Sequence, residues 1–327
     1  MNRNRKKENL LWLLYAGVLV LLFLASSTDL IIKERKSEVY PISVIIEDSV
    51  DDNYVNFRKG MDQAAAELNA DVSFITLYDK NDADQQLELI SREQQDGARA
   101  LIVSPVNEKT MTLALAEKRV TVPLVLLNSE LAADQISAVI TPDYDRMGRQ
   151  LAAQIAADHD RSIPVYLFGS RDRNDMAGRF ESGVRAGLEE SGFKVILCEK
   201  QGEGDYRKTI EGLVYPGGQN VIIVALEPES LRETARILAD STVYASCVEG
   251  LYGRGTNLSL LNELDSGVIS SLCVTDDFSA GYQSVKKAVE IITAGSYQQE
   301  PVVQESFCIQ KQDLRKQEFE RMLYPIE

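Results

Sequence analysis

The residues of this chain that could do chemistry lie in polar loops, each of which follows a short apolar run. These loops are rich in carboxylates, amides, hydroxyls and a few tyrosines, and they comprise residues 47–60, 104–107, 127–130, 168–175, 198–208, 225–230 and 247–253. Such side chains donate and accept hydrogen bonds, which suits a polyhydroxylated or amine-bearing small molecule. The alternative is that the loops are ordinary polar turns on the surface.

The sequence contains none of the common motifs for phosphate binding, dinucleotide binding or nucleophilic catalysis. A glycine-rich phosphate loop, a G-x-G-x-x-G turn after a strand and a G-x-S-x-G nucleophile elbow are all absent. The one histidine, His159, is expected on the surface at a helix end, and alone it predicts neither a Ser–His–Asp triad nor a metal site. The adjacent acids Asp51 and Asp52 are more typical of a helix cap than of glycoside chemistry. We therefore expect a binding protein without a metal or cofactor rather than an enzyme.

The four cysteines, Cys198, Cys247, Cys273 and Cys308, each occur in an apolar, strand-like run. No two of them are close enough in sequence to form a zinc knuckle or a C-x-x-C redox pair. This pattern is typical of small buried hydrophobic residues. A disulfide between two neighbouring strands is the alternative.

The charge balance limits the partners. The 327 residues include 50 Asp and Glu against 35 Lys and Arg, which gives a formal net charge of −15. Binding to nucleic acid needs a basic face, so no nucleic-acid partner is expected. With 44% hydrophobic residues, the chain is long and apolar enough for two domains with full cores.

From residue 39 onward, apolar runs alternate with amphipathic segments of helical length. The predicted strands lie at residues 42–47, 72–77, 100–104, 123–127, 165–169, 194–198, 221–225, 243–248 and 268–274, and predicted helices include 53–69, 83–95, 144–158, 175–191 and 278–294. Near-continuous apolar strands separated by helices indicate α/β domains with parallel sheets covered on both faces. We predict two doubly wound lobes, with a ligand site in the cleft where the carboxyl ends of the strands face each other.

Three segments together resemble the type 1 periplasmic binding proteins of the ribose- and galactose-binding kind. They are 141–158, "TPDYDRMGRQLAAQIAAD", 177–192, "AGRFESGVRAGLEESG", and 276–295, "DDFSAGYQSVKKAVEIITAG". The resemblance implies a multi-strand hinge between a first lobe of 39–142 plus 276–303 and a second lobe of 143–275 plus 304–311. It leaves a C-terminal tail, 312–327, whose apolar spacing favours packing on the body over binding a partner.

The resemblance also implies a set of ligand contacts at the strand ends. The candidates are Asn53, Tyr54, Phe57, Asn128, Ser129, Arg179, Tyr206, Glu227, Glu249 and Thr275. Arg179 matches the family's ligand-binding arginine. Asn128 and Ser129 stand where sugar binders often have an aspartate–arginine pair, and no tryptophan follows Trp12 to stack on a sugar ring.

The N-terminus predicts a membrane segment. A basic tail, 1–9, precedes the uninterrupted apolar stretch 10–25, which with 26–28 makes a helix of about 28 Å, close to the roughly 30 Å hydrocarbon core. No cysteine follows it to carry a lipid. We therefore favour a single-pass anchor at 10–28 and a juxtamembrane linker at 29–38, over cleavage near residue 26. The body would then lie outside the cell membrane.

Three functions follow from these observations. A membrane-tethered receptor for a sugar or polyol, serving an ABC-type importer, is the first. The second is a ligand-sensing subunit for a membrane histidine kinase or chemoreceptor, and the third, more remote, is a glycoside-acting enzyme. No helix-turn-helix precedes residue 39, which argues against a cytoplasmic repressor built on the same fold.

Overall fold

The computed structural model describes residues 2–27, 38–131, 133, 136–171, 174–200, 206–215, 218, 220–295 and 301–324. They fall into two units, Met1–Val39 and Tyr40–Glu327, and the first contains helix α1 (Asn2–Ser27). Among the residues so described, no helix is both long enough and apolar enough to cross a membrane. The linker predicted at 29–38 lies outside the described residues except for its last position.

The strands of the second unit form two six-stranded sheets. The first sheet contains β1 (Tyr40–Ile45), β2 (Ala70–Ile75), β3 (Ala100–Val103), β4 (Leu124–Leu127), β5 (Ile136–Pro142) and β11 (Val302–Gln304), in the order β11–β5–β4–β3–β1–β2. The second sheet contains β6 (Val165–Ser170), β7 (Val195–Lys200), β8 (Val221–Ala225), β9 (Val248–Arg254), β10 (Ser271–Thr275) and β12 (Ser306–Ile309), in the order β12–β10–β9–β8–β6–β7.

The described pairings confirm two parallel sheets with one exception. Every neighbouring pair is parallel except β12, which runs antiparallel to β10 at the edge of the second sheet. β12 follows β11 after a single residue, and it joins the other sheet. This short connection therefore takes the chain directly from the first sheet to the second.

Helices cover both faces of each sheet. They are α2 (Val55–Leu68), α3 (Ala83–Gln95), α4 (Glu108–Ala116), α5 (Tyr144–Asp158), α6 (Asp175–Glu190), α7 (Arg207–Val214), α8 (Pro228–Ala239), α9 (Thr242–Ala245), α10 (Leu258–Ser266), α11 (Asp277–Ala294) and α12 (Gln317–Leu323). Separate hydrophobic clusters fill the two faces of the first sheet and the two faces of the second.

The chain passes between the lobes three times, and two of the passages begin a helix. β5 of the first lobe leads into α5, which packs on α6, and β10 of the second lobe leads into α11, which packs on α2. The carboxylates of Asp143 and Asp276 cap these helices by accepting hydrogen bonds from Arg146 N and Ser279 N, both at 2.9 Å. The caps fix the first helical residues, Tyr144 and Asp277, at the hinge.

The strand predicted at 243–248 is wrong. Residues 242–245 form the short helix α9, in which the Ser241 hydroxyl accepts a hydrogen bond from Tyr244 N, and β9 begins only at Val248. Tyr244, Cys247 and Val248 nevertheless pack against the core of the second lobe. These residues are therefore apolar because they pack on the core from a helix and a turn. A short apolar run in the sequence does not distinguish that arrangement from a strand.

Two of the cysteines form a disulfide instead of remaining buried thiols. Cys273 in β10 and Cys308 in β12 are directly paired across the antiparallel edge, with Cα atoms 4.0 Å apart, and they are bonded to each other. Cys198 and Cys247 are free and half-buried. The alternative of a disulfide between neighbouring strands is therefore correct for Cys273 and Cys308 and does not apply to the other two cysteines.

His159 is not the surface residue that its position suggested. It is half-buried, and its Nε2 lies 2.6 Å from the hydroxyl of Tyr252, a buried residue of β9. The two rings also meet edge to face. Burial raises the pKa of Tyr252 to about 12, so this phenol is neutral at physiological pH.

The C-terminal segment packs on the body. Leu314 and Leu323 are buried in the core of the second lobe, and Phe319 contacts Phe307 of β12 edge to face. Asn56, in α2 of the first lobe, donates a hydrogen bond of 2.9 Å to the Leu323 carbonyl. The segment therefore also contacts the first lobe.

Candidate functional site

A cavity of about 120 Å³ lies between the lobes, beyond the carboxyl ends of the strands of both sheets. Its walls combine carboxylates, two cations, amides, hydroxyls and apolar side chains. They are formed by Glu47, Asp48, Asn53, Tyr54, Phe57, Lys80, Leu127, Asn128, Asp277, Ala280 and Gln304 on the first-lobe side, and by Tyr144, Met147, Asn174, Met176, Glu227, Pro228, Arg254, Gly255, Thr256, Cys273 and Thr275 on the other. Its volume is well below that of drug-sized pockets, which suits a small ligand.

A buried carboxylate–phenol pair forms part of the first-lobe wall. Glu47 follows β1, and its two carboxylate oxygens accept hydrogen bonds of 3.0 and 2.8 Å from the Tyr54 hydroxyl. Burial raises the pKa of Glu47, while its hydrogen bonds act in the opposite direction. The Tyr54 ring packs against Phe57 and Phe74, which fixes the phenol at the cavity.

Lys80 connects this wall to the second lobe. Its Nζ lies 3.4 Å from Asp48 Oδ2 and 2.9 Å from Oε2 of Glu229, which is in the first turn of α8. Burial alone would lower the pKa of Lys80, but the carboxylates of Asp48, Glu229 and Glu227 outweigh it and raise the pKa. Lys80 is therefore a charged, paired group at the edge of the cavity.

Glu227 and Arg254 stand on the second-lobe wall. Glu227 precedes α8, and its Oε2 accepts hydrogen bonds from Ser170 N at 2.7 Å and from the Ser230 hydroxyl at 3.4 Å. Arg254, the last residue of β9, donates from Nε to the Leu226 carbonyl at 3.1 Å. Its guanidinium lies 5.2 Å from the centre of the Tyr144 ring, a cation–π distance.

Asp277 stands where the chain returns from the second lobe to the first. Its carboxylate accepts hydrogen bonds from the hydroxyls of Thr275, at 2.7 Å, and Thr256. Burial raises the pKa of Asp277 to about 6, even though these hydrogen bonds and Arg254 act to lower it. This carboxyl therefore titrates well above the usual range of an aspartate.

A second hydrogen bond crosses the hinge. The Tyr144 hydroxyl donates to Asn128 Oδ1 at 3.1 Å, and Asn128 adopts the left-handed conformation with φ of 54° directly after β4. Asparagine tolerates this conformation better than most residues because its short polar side chain interacts locally. The hydrogen bond links the end of a first-lobe strand to the start of a second-lobe helix.

The chemistry of these walls is that of hydrogen bonding and charge. Four carboxylates face two cations, with amides and hydroxyls between them. Over the part of the chain that the structure describes, no group of three or more histidine, cysteine or acidic residues is arranged to hold a metal ion. The arrangement can therefore bind hydroxyl and amine donors from several directions at once.

The structure brings six of the ten predicted site residues to the cavity. They are Asn53, Tyr54, Phe57, Asn128, Glu227 and Thr275. Five of them stand at or beyond the carboxyl end of a strand, and Phe57 follows in the first turn of α2. Their common position explains why they converge.

Two other predicted residues lie outside the cavity in a cross-lobe cluster. Arg179 donates from its two terminal nitrogens to the two carboxylate oxygens of Glu108, at 3.1 and 2.7 Å, and its Nε lies 3.4 Å from Glu130. The Ser129 hydroxyl donates to Glu108 at 2.6 Å. Both side chains are held by Glu108 of α4, so neither lines the cavity.

The remaining two lie in the second lobe, away from the cavity. Tyr206 is buried in the core, where its ring stacks on Phe168 at 4.6 Å. Glu249 is exposed near the start of β9, at the opposite end of the strand from the cavity, and it accepts a hydrogen bond from Asn220. Neither belongs to the cavity wall.

The sequence reasoning missed several cavity residues, for different reasons. Glu47 is the last residue of the predicted strand 42–47 and the first of the predicted loop 47–60, but it is not among the predicted contacts; the strand ends at Ile45. Arg254 is missed because the strand predicted at 243–248 ends before it, whereas β9 extends to Arg254. Tyr144 and Asp277 begin the two hinge helices, and their role depends on the meeting of the lobes. The available signal was their position, directly after the caps Asp143 and Asp276.

Solved structures share this architecture. A solute-binding protein of an ABC transporter from Agrobacterium vitis, bound with alpha-D-tagatopyranose, is 15% identical with a TM-score of 0.74, over 88% of this chain and 100% of that one. A carbohydrate transporter solute-binding protein from Agrobacterium radiobacter, in complex with D-arabinose, is 18% identical with a TM-score of 0.71, over 87% and 98%. A sugar transporter from Clostridium phytofermentans is 21% identical with a TM-score of 0.68, over 83% and 99%.

At these identities the likeness shows the fold, which is the type 1 periplasmic binding protein fold. No protein with a curated description matches the sequence significantly. The model of the periplasmic binding protein domain family matches residues 42–296, which is most of the chain. With two lobes, three crossings and a cavity between them, the chain belongs to the periplasmic binding protein domain family.

Proposed function

We propose that this protein is an extracytoplasmic receptor that binds a small polar ligand, a sugar or sugar-like polyol, and delivers it to an ABC-type importer. The observation that carries the proposal is the cavity at the carboxyl ends of both sheets, to which each lobe contributes carboxylates, amides and hydroxyls. A site divided between two lobes assembles only when the lobes close, which couples ligand binding to a change of shape.

The walls suit a polyol. Carboxylates and amides accept or donate hydrogen bonds to neighbouring hydroxyl groups, and the aromatic rings of Tyr54, Phe57 and Tyr144 offer apolar surface for the carbon skeleton. The solved relatives carry ligands of this class, tagatopyranose in one case and D-arabinose in another. Both relatives are solute-binding proteins of transporters, which supports the importer as the partner.

Direct contacts between the lobes support the closing motion. Asn257 Nδ2 of the second lobe donates to Asn53 Oδ1 of the first at 2.8 Å, and Lys80 reaches Glu229 across the cleft. The closed arrangement is therefore stabilised by polar contacts that water can replace when the lobes separate. A ligand that contacts both lobes would shift this balance by its preference for the closed form.

The disulfide supports a location outside the cytoplasm. Disulfides persist in oxidising compartments and are rare in the cytosol, and Cys273–Cys308 joins two strands beside the hinge. The membrane tether is proposed from the sequence, in which the apolar stretch 10–25 follows a basic tail. Mass spectrometry of the mature protein tests it: a chain that retains residues 1–25 supports the anchor, and one that begins near residue 26 or 28 shows cleavage.

The binding proposal is tested by thermal unfolding of the full chain in detergent, followed by circular dichroism, against a panel of monosaccharides and polyols. A true ligand at about 100 times its Kd adds about 2.7 kcal/mol to the free energy of unfolding, which raises the melting temperature by roughly 5 °C or more. The Glu227→Gln variant should lose most of this shift. Glu249→Gln, the same change on an exposed side chain, should keep it. If no compound of the panel shifts the transition, the proposed function is wrong.

A further inference from the structure

We propose that the ligand carries a positive charge, and that the cavity selects an amino sugar or amino polyol over the neutral sugar with the same ring. The inference rests on the proposed function, because it concerns the ligand of the same cavity. It is carried by an imbalance in the walls. Among the residues that the structure describes, three of the four carboxylates there form no ion pair within 4.0 Å, and both cations of the cavity already contact other groups.

Glu47 is the clearest of the three carboxylates. Its residue surface is 6% exposed, and its carboxylate oxygens accept hydrogen bonds from the neutral Tyr54 hydroxyl. The other hydrogen-bonding groups that act on this carboxylate, the Ser104 side chain and the backbone, are also neutral. Asp277 likewise accepts hydrogen bonds from two threonine hydroxyls, and Glu227 from a backbone N–H and a serine. Within the ranges that the structure describes, none of these three forms an ion pair with a lysine or arginine within 4.0 Å.

The two cations at the cavity offset this charge only in part, because Arg254 acts on Asp277 and Lys80 on Glu227 without forming an ion pair within 4.0 Å. Lys80 lies between Asp48 and Glu229, so two carboxylates already share it. The Arg254 guanidinium lies over the rings of Tyr144 and Phe180, at 5.2 and 5.9 Å from their centres, and its Nε donates to a backbone carbonyl. The cavity thus retains an excess of negative charge on its walls.

Removing an unpaired carboxylate from water is costly, and an opposite charge at close range offsets that cost. When the lobes close, water leaves the cavity and the attraction between a ligand ammonium and the walls becomes stronger. A neutral sugar supplies only hydroxyl donors to the same oxygens. Hydrogen bonds from a charged donor to a carboxylate are roughly twice as strong as neutral ones, so we expect the amine to bind about tenfold tighter or more.

Isothermal titration of the full chain in detergent tests this with matched sets: glucose, galactose and mannose, their 2-amino-2-deoxy forms, and the N-acetyl derivatives of those amines. The amine should bind about tenfold tighter than the neutral sugar of its set, and N-acetylation should remove the gain because it removes the charge. A neutral sugar that binds as tightly as its amine overturns this inference and leaves the proposed function standing. If neither these sugars nor the wider panel binds, both proposals fail.

Two glutamine variants show where the preference arises. Glu47→Gln keeps the shape of the side chain and removes its charge, so the ratio of the affinity for the amine to that for the neutral sugar should fall by about tenfold, even if both affinities fall. Glu249→Gln makes the same change at an exposed position away from the cavity, and the preference should stay unchanged. If Glu47→Gln leaves the ratio of the two affinities unchanged, the assignment of the charge preference to this wall is wrong.

Discussion

Arg179 and Glu108 join the two lobes outside the ligand cavity. The guanidinium of Arg179 in α6 donates to both carboxylate oxygens of Glu108 in α4, at 3.1 and 2.7 Å, and the two side chains are only 26% and 19% exposed. The backbone N–H of Glu108 in turn donates to Asp175 Oδ2 of α6 at 2.9 Å. This pair therefore holds the two lobes together in this structure without lining the cavity.

Replacing Arg179 by alanine should weaken ligand binding by reducing the stability of the closed form. An ion pair of this exposure contributes on the order of 1 kcal/mol, so the Kd should rise by about fivefold. The ranking of ligands should stay the same, because the cavity walls are unchanged. Isothermal titration measures the Kd, and small-angle scattering of the ligand-bound variant should show a larger open fraction.

Arg185→Ala is the matched control for this prediction. Arg185 lies on the same helix, and its ion pairs with Glu181 and Glu189 stay within that helix. Its removal should leave the Kd unchanged. If Arg179→Ala instead abolishes binding and changes the ranking of ligands, the arginine contacts the ligand directly, as the family resemblance implied.

Gly281→Ala should destabilise the first lobe strongly. Helices α2 and α11 pack so closely that a Cβ atom on Gly281 would lie 1.9 Å from the carbonyl oxygen of Phe57, and one on Gly60 would lie 1.9 Å from that of Phe278. Neither backbone can yield without moving a helix. We expect the free energy of unfolding to fall by about 3 kcal/mol, as measured by urea denaturation.

Gly178→Ala tests the same change where there is room. Among the described residues, a Cβ atom built on Gly178 in α6 would have no atom within 4 Å apart from its chain neighbours and the backbone of its own helix. Because alanine favours the helix over glycine, this variant should be as stable as the wild type or more stable by up to about 1 kcal/mol. Equal losses in both variants would mean that helix packing is not the reason for glycine at position 281.

The alternation of apolar runs and helices was sufficient to predict the α/β class and two parallel sheets. The inner strands are nearly continuous buried runs, such as Leu124–Leu127 and Val221–Ala225, and this pattern is typical of a sheet whose two faces are both covered. Asn128 and Glu227 lie at the cavity because each follows such a strand directly. Local sequence therefore carries the part of the site that depends on strand ends.

The parts that the sequence could not supply depend on strand bounds and on contacts between distant elements. Because β9 begins at Val248 and not at residue 243, Glu249 lies at the far end of the strand, and Arg254 occupies the position at the cavity. The pairing of Arg179 with Glu108 spans 71 residues. No local pattern distinguishes an arginine that contacts a ligand from one that contacts the opposite lobe.

Loss of the Cys273–Cys308 disulfide should destabilise the second lobe. The two residues are 35 positions apart, and the bond limits the freedom of that loop in the unfolded chain. Closing a loop of this length contributes about 3–4 kcal/mol in the chain-entropy model. Cys308→Ala should lower the free energy of unfolding by this amount, and a reductant should lower that of the wild type similarly.

The free cysteine Cys247 provides the control for the disulfide. It is half-buried and forms no disulfide. Cys247→Ala should therefore lower the free energy of unfolding by less than about 1.5 kcal/mol, and a reductant should lower the stability of this variant as it does that of the wild type. Cys308→Ala should be insensitive to it. A wild-type protein whose urea transition does not move with reductant would show that the bond is absent or contributes nothing.

The hinge carboxyl of Asp277 should make stability depend on pH. Burial raises the pKa of Asp277 to about 6 in the folded protein, against the usual value of about 3.9 in an unfolded chain. Between about pH 4 and pH 6 the folded state therefore holds more protons than the unfolded state, and the free energy of unfolding falls as the pH rises. Thr256, Thr275 and Arg254 face the same carboxyl and act against the shift.

Asp277→Asn isolates this contribution, because the amide does not titrate. The difference in the free energy of unfolding, wild type minus variant, should fall by on the order of 2 kcal/mol from pH 4 to pH 6 and should become flat above about pH 7. Urea denaturation of both proteins without ligand, at intervals across this range, measures it. A difference that rises with pH would mean that the carboxyl is stabilised in its charged form, with Arg254 outweighing burial.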